Sequence, residues 1–93
     1  MSETRYRRAP RALHRTVGHE VLLAAADRDG IDVLPGTAAT LWILLDQPAS
    51  RETLTEELAA IYATPAHRVS ADVTPLLDEL VRRGWLEQFD DEG

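Results

Sequence analysis

Residues 30–46 read Gly30-Ile31-Asp32-Val33-Leu34-Pro35-Gly36-Thr37-Ala38-Ala39-Thr40-Leu41-Trp42-Ile43-Leu44-Leu45-Asp46. The stretch opens on the turn dipeptide Asp29-Gly30 and runs through a short β-capable segment, Ile31 to Leu34. It breaks at Pro35-Gly36 and continues as an apolar helical run from Thr37 to Leu45. A strand that ends where a helix begins, with no linker between them, is a junction between a sheet and a helical body.

Working back from this junction, His19 to Asp27 lies between Gly18 and the turn Asp27-Arg28-Asp29-Gly30, and its short apolar run reads as a strand. Its three alanines argue against a strand, because Ala is depleted there. A further strand is predicted over Ala12–Val17. Three short antiparallel strands must pack one face on something else. Working forward, the helix from Thr37 ends at Gln47-Pro48-Ala49. A second begins at the capping box Thr53-Leu54-Thr55-Glu56, with Ser50 a competing cap one turn earlier, and carries Leu54, Leu58, Ile61 and Tyr62 on one face. The third starts at Thr64-Pro65 and ends at Arg82-Arg83-Gly84. Its stripe is Val69, Val73, Leu76, Leu77, Leu80 and Val81. Pro75 interrupts it and predicts a bend; the rival reading ends one helix near Asp72 and restarts at Thr74-Pro75. Trp85, Leu86 and Phe89 then close over the core. The order β, β, β, α, α, α predicts an α+β fold: a three-stranded antiparallel sheet followed by a three-helix bundle.

With 93 residues the chain is long enough for one domain. Residues 1–11 are read as a disordered basic arm, 12–87 as the domain and 88–93 as an acidic tail. The arm holds Arg5, Arg7, Arg8 and Arg11, and the chain ends in Asp90-Asp91-Glu92-Gly93. No apolar run reaches the length of a membrane span, and no apolar region follows the charged N-terminus as in a secretory signal. There is no cysteine, so disulfides, thiolate metal sites and cysteine nucleophiles are excluded. A cytoplasmic protein without membrane partners is expected.

Little in the sequence points to catalysis. His14, His19 and His67 lack the spacing of a metal pair, and Ser2, Ser50 and Ser70 sit in no nucleophile-elbow sequence. Glu56-Glu57 and Asp78-Glu79 fall on polar helix faces, and no Gly-rich phosphate loop is present. Neither an enzyme nor a bound metal or cofactor is expected. Three helices and a small sheet suggest a winged helix-turn-helix, yet the net charge is −6 and the third helix carries Asp72, Asp78 and Glu79 beside its arginines. Nucleic acid is therefore not the expected partner.

An interaction surface remains. Ile31 to Leu34 could lie at the sheet edge with unpaired backbone groups, ready to accept an added strand from an extended peptide. Six aliphatics in the thirteen residues from Val69 to Val81 make a stripe wide enough to wall a groove beside that edge. The alternative, that all six are core and the arm covers the edge, stays open on sequence alone.

Several segments resemble one known family. They are Val33-Leu34-Pro35-Gly36-Thr37-Ala38-Ala39, then Leu41-Trp42-Ile43-Leu44-Leu45-Asp46, Thr53-Leu54-Thr55-Glu56-Glu57-Leu58 with Tyr62, Asp72-Val73 with Leu76-Leu77-Asp78-Glu79-Leu80, and Arg83-Gly84-Trp85-Leu86. In that order, over about residues 12–87, they resemble the PqqD-like proteins, the recognition elements for ribosomally made, post-translationally modified peptides (RiPPs). The resemblance implies a three-stranded sheet on a winged-helix-like trihelical bundle. It implies a leader peptide added as a strand beside the third strand and packed on the third helix. Carried over by position, the peptide-binding residues are Ile31, Asp32, Val33 and Leu34 on the edge, with Val69, Asp72, Val73, Leu76 and Leu80 on the helix. Pro75 departs from the family's uninterrupted helix. Within the family the chain is most similar to the stand-alone leader-binding proteins of lasso-peptide pathways, which implies delivery of the precursor to a separate leader peptidase. The peptide chaperones of pyrroloquinoline quinone biosynthesis are the alternative.

Overall fold

Strand β2 (Leu13–Val17) turns back into β3 (Glu20–Ala24) through Gly18-His19, and Gly18 takes the positive φ of +61° that two-residue hairpin turns favour. After a loop, β4 (Asp32–Pro35) returns along β3, and the sheet runs β2-β3-β4, antiparallel throughout. Its inner face presents Val21, Leu23, Ala25 and Leu34, all buried. Against that face pack α1 (Gly36–Leu44), α2 (Arg51–Tyr62) and α3 (Ala66–Arg82), whose Leu41, Trp42, Leu54, Leu58, Val73, Leu77 and Leu80 complete one core. The computed structural model describes residues 3–91. The predicted α+β class, with its meander and three helices, is what forms.

The strand count is corrected. Residues 3–8, expected as a disordered arm, form β1, and residues 86–91, which include most of the expected acidic tail, form β6 (Leu86–Asp91). Together with the two-residue β5 (Ala49–Ser50) they make a second antiparallel sheet in the order β5-β1-β6. Met1, Ser2, Glu92 and Gly93 of that arm and tail lie outside the described residues. Charge explains the pairing. Arg7 lies opposite Glu87 and binds it at 2.9 Å, while Thr4 Oγ1 donates to Asp90 Oδ1 at 3.1 Å. Arg7 also lies over the Phe89 ring, 4.7 Å from its centre. Arg8 reaches across to the end of α1, donating from Nε and Nη2 to the Trp42 carbonyl at 3.0 and 2.5 Å, so that a cation meets the C-terminal carbonyls of the helix.

Tyr6 is the residue of β1 that enters the core. Burial, with a smaller push from the nearby Asp78 carboxylate, raises its phenol above the ordinary value of 10.0. The stability linked to that neutral phenol is complete below pH 10.0 and declines as pH rises through the raised value. An ultraviolet titration of the native protein should therefore show Tyr6 ionising above pH 10.0. A Tyr6 phenol that ionises at its ordinary value would mean that β1 does not fold.

The helix starts differ in detail from expectation. The cap of α2 is Ser50, not Thr53: its Oγ accepts from the Thr53 N–H at 3.1 Å. Pairing of Ser50 with Arg5 across β5 and β1 holds it extended, at φ −80° and ψ 162°, as a cap requires. Ser50→Ala should cost about 1 kcal/mol in a urea denaturation. Thr53→Ala should cost less, and equal costs would restore the capping box. In α3, Pro65 takes the cap position expected of Thr64. The helix continues through Pro75, whose side chain is exposed, while Val69, Val73, Leu77 and Leu80 keep the buried face unbroken on both sides of it. It ends as the sequence predicts. Gly84, at φ +83°, donates to Val81 O and Trp85 donates to Leu80 O, the two bonds of a Schellman stop.

Candidate functional site

Strand β4 is terminal in its sheet, and β1, the strand that might have covered it, pairs with β5 and β6 instead. Its free backbone groups follow from one residue. Pro35 has no N–H, so the pair Glu20↔Pro35 cannot be one that exchanges two hydrogen bonds. By alternation the bonded pairs are Val21↔Leu34 and Leu23↔Asp32. The N–H and C=O of Val33 therefore point away from β3, toward the open edge.

Beside the start of that edge lies the C-terminal end of α3. Near the helix's C-terminal end the two elements are tied: Trp85 Nε1 donates to Asp32 Oδ2 at 2.6 Å, and Arg83 Nη1 stands 4.0 Å from the same oxygen. Arg28 lies 4.5 Å over the Trp85 ring and donates to the Arg83 carbonyl. Beyond the other end of β4 the gap widens into a cleft of about 410 Å³ lined by Thr37, Tyr62, Thr64, Arg68, Val69 and Asp72. The result is a short groove, closed at the Asp32–Trp85 tie and open toward the start of α3.

The sequence-predicted residues separate into three groups here. Leu34, Val69, Val73 and Leu80 are buried and belong to the core. Asp32 holds β4 to Trp85 and Arg83. Ile31, Val33, Asp72 and Leu76 keep accessible surface. Ile31 precedes the strand, and both it and Val33 put their side chains on the sheet's outer face, so Val33 offers the groove its backbone alone.

Sequence reasoning missed the cleft's other walls. Tyr62, expected on the amphipathic face of α2, is exposed, and its hydroxyl lies 2.8 Å from Thr40 Oγ1. Arg68 precedes Asp72 by one turn on the same row of α3, a spacing that could have placed it there. The groove offers main-chain hydrogen bonds, a partly apolar wall, and a cation and an anion, Arg68 and Asp72, one turn apart at its open end. Among the described residues no three His, Asp or Glu side chains gather as a metal site, and no helix is long and apolar enough to cross a membrane.

The family described as Coenzyme PQQ synthesis protein D (PqqD) matches residues 20–86. Among solved structures, TbiB1 in complex with the TbiA(beta) leader peptide superposes with a TM-score of 0.78 at 20% identity, covering 87% of this chain and 94% of that one. The PqqD truncation of Methylobacterium extorquens PqqCD, a stand-alone RiPP recognition element solved in solution, gives 0.72 at 21% identity, with 89% and 88% covered. No curated protein matches the chain.

Proposed function

This chain belongs to the PqqD family, and from that premise we propose that it is a non-catalytic adaptor that holds the leader of a ribosomally made precursor peptide as an added strand on β4. The observation that carries this reading is the open edge of β4 facing α3, with the Val33 N–H and C=O turned outward. The fold shared with a leader-bound protein supports it. On this reading Asp72, Leu76 and the Thr37–Tyr62–Arg68 cleft receive leader side chains. Val69, Val73 and Leu80 form the floor beneath them, and Asp32 fixes the end of the groove. We place the chain in the cytoplasm with the stand-alone leader-binding proteins of lasso-peptide pathways, where it hands its precursor to a separate leader peptidase. The family's description favours a second reading, in which the precursor is that of pyrroloquinoline quinone.

The test uses the labelled leader of the precursor peptide encoded beside this chain. Fluorescence anisotropy should give a Kd below about 1 μM, or ~8 kcal/mol, which a few main-chain bonds and two or three buried side chains can supply. No binding by any encoded leader, together with salt-sensitive binding of duplex DNA, would instead make the three helices a winged-helix DNA binder. The acids Glu52, Glu56 and Glu57 on α2 and Asp72, Asp78 and Glu79 on α3 argue against that outcome.

A further inference from the structure

The cleft at the open end of the groove is built from unlike parts. Its apolar part is Val69, nearly buried, and the Tyr62 ring; its charged part is Arg68 and Asp72 on α3. The hydroxyls of Tyr62 and Thr64 are already engaged, the first with Thr40 Oγ1 and the second with the Tyr62 carbonyl. The two charges are not. Among the described residues the Arg68 and Asp72 side chains have no hydrogen-bond or ion-pair partner, not even each other, although they stand one turn apart on one row of the helix. Arg68 lies in the first turn of α3, the end where a cation is disfavoured, and a cation placed before an anion is the weaker order for a pair along a helix. Helix stability therefore does not account for them.

Register says which leader residue arrives there. A residue directly across from Val33 puts its side chain on the outer face, as Val33 does, so its neighbours and the third residue on either side point inward. On the Pro35 side the third lies roughly 10 Å along, past the end of β4, where the cleft opens. Charge decides what that residue is. A carboxylate would meet Asp72, an ammonium or guanidinium would meet Arg68, and an aliphatic side chain would cover both charges without replacing their water. A hydroxyl must serve both from a single oxygen. A carboxamide carries its acceptor and its donor on separate atoms, the oxygen for Arg68 and the NH₂ for Asp72. We propose that the cleft selects a Gln or Asn side chain of the leader, and that Arg68 and Asp72 are the residues that determine this specificity. The stem of the amide lies on Val69 and the Tyr62 ring. This inference rests on the leader-binding reading above and adds the chemistry of one side chain that the leader must present.

A set of fluorescent peptides tests it: the leader encoded beside this chain, with Gln, Asn, Glu, Lys or Leu placed at each position in turn. Anisotropy should find one position at which the wild type prefers Gln or Asn to the other three by about tenfold, or ~1.4 kcal/mol. Asp72→Asn leaves Arg68 alone and should turn the preference at that position to Glu. Arg68→Gln leaves Asp72 alone and should turn it to Lys. Both side chains are exposed, so both variants should keep the wild-type thermal midpoint. No position that prefers an amide, or a preference that either variant leaves unchanged, would overturn this inference while leader binding stands. Equal weakening of every peptide in the two variants would do the same, because it would give Arg68 and Asp72 a structural role only. A wild type that binds no leader overturns this inference and the proposed function together.

Discussion

Val33→Pro should lower affinity for the leader by about 100-fold while moving the thermal midpoint little. The substitution deletes an N–H that faces the open edge of β4 and puts ring carbons where a partner carbonyl would lie. Leaving that acceptor unsatisfied costs about 1–3 kcal/mol, and the steric clash with an approaching strand takes the loss toward the ~2.7 kcal/mol of a 100-fold change. The fold should tolerate the change, because the bonds joining β4 to β3 run through Leu34 and Asp32, and the Val33 side chain is exposed. Val33→Ala keeps the N–H and should bind within a few-fold of wild type. Wild-type affinity in the proline variant would show that no strand is added at this edge.

Trp85→Ala should be the most destabilising single change near the groove, at about 3–5 kcal/mol in urea denaturation. A chain of this size holds only about 5–14 kcal/mol in total, so the variant should lose a large share of its stability and unfold at a clearly lower urea concentration. Trp85 fills the core beneath the end of α3, donates to Asp32 and carries Arg28 on its ring. Trp85→Phe separates the roles: it keeps most of the volume and should lose about 1–3 kcal/mol by leaving the Asp32 carboxylate without its indole donor. A loss below about 1 kcal/mol for the alanine variant would mean that Trp85 is not packed as described.

The meander and the three helices could be read from the sequence, because each has its own signal. Gly18, Asp29-Gly30 and Gly84 mark turns and a helix stop, and the stripe from Val69 to Val81 has helical period. The second sheet was hidden for a physical reason. β1 buries Tyr6 among arginines, so Thr4-Arg5-Tyr6-Arg7-Arg8 shows charge where a strand's apolar alternation would be sought. Its partner β6 is equally charged, and each segment read separately looks like a solvated tail. Their complementarity appears only once the two are paired. Residue composition likewise could not divide the α3 stripe. Val69, Val73 and Leu80 differ from Leu76 by position around the helix relative to β4, which depends on tertiary packing. The Asp32 tie was out of reach for the same reason, since Trp85 lies 53 positions away in the chain.

The pairing of β1 with β6 also has a topological consequence. The register Glu3↔Asp91 sets both ends of the described chain on neighbouring strands, about 5 Å apart. A cargo fused at either end would leave from the same corner, on the sheet that does not contain β4. A linker of a few residues could join those ends, and the ring could be reopened in the exposed loop between β3 and β4. A permuted chain of that kind would keep every strand pairing while making the lower strand of the groove the new terminus.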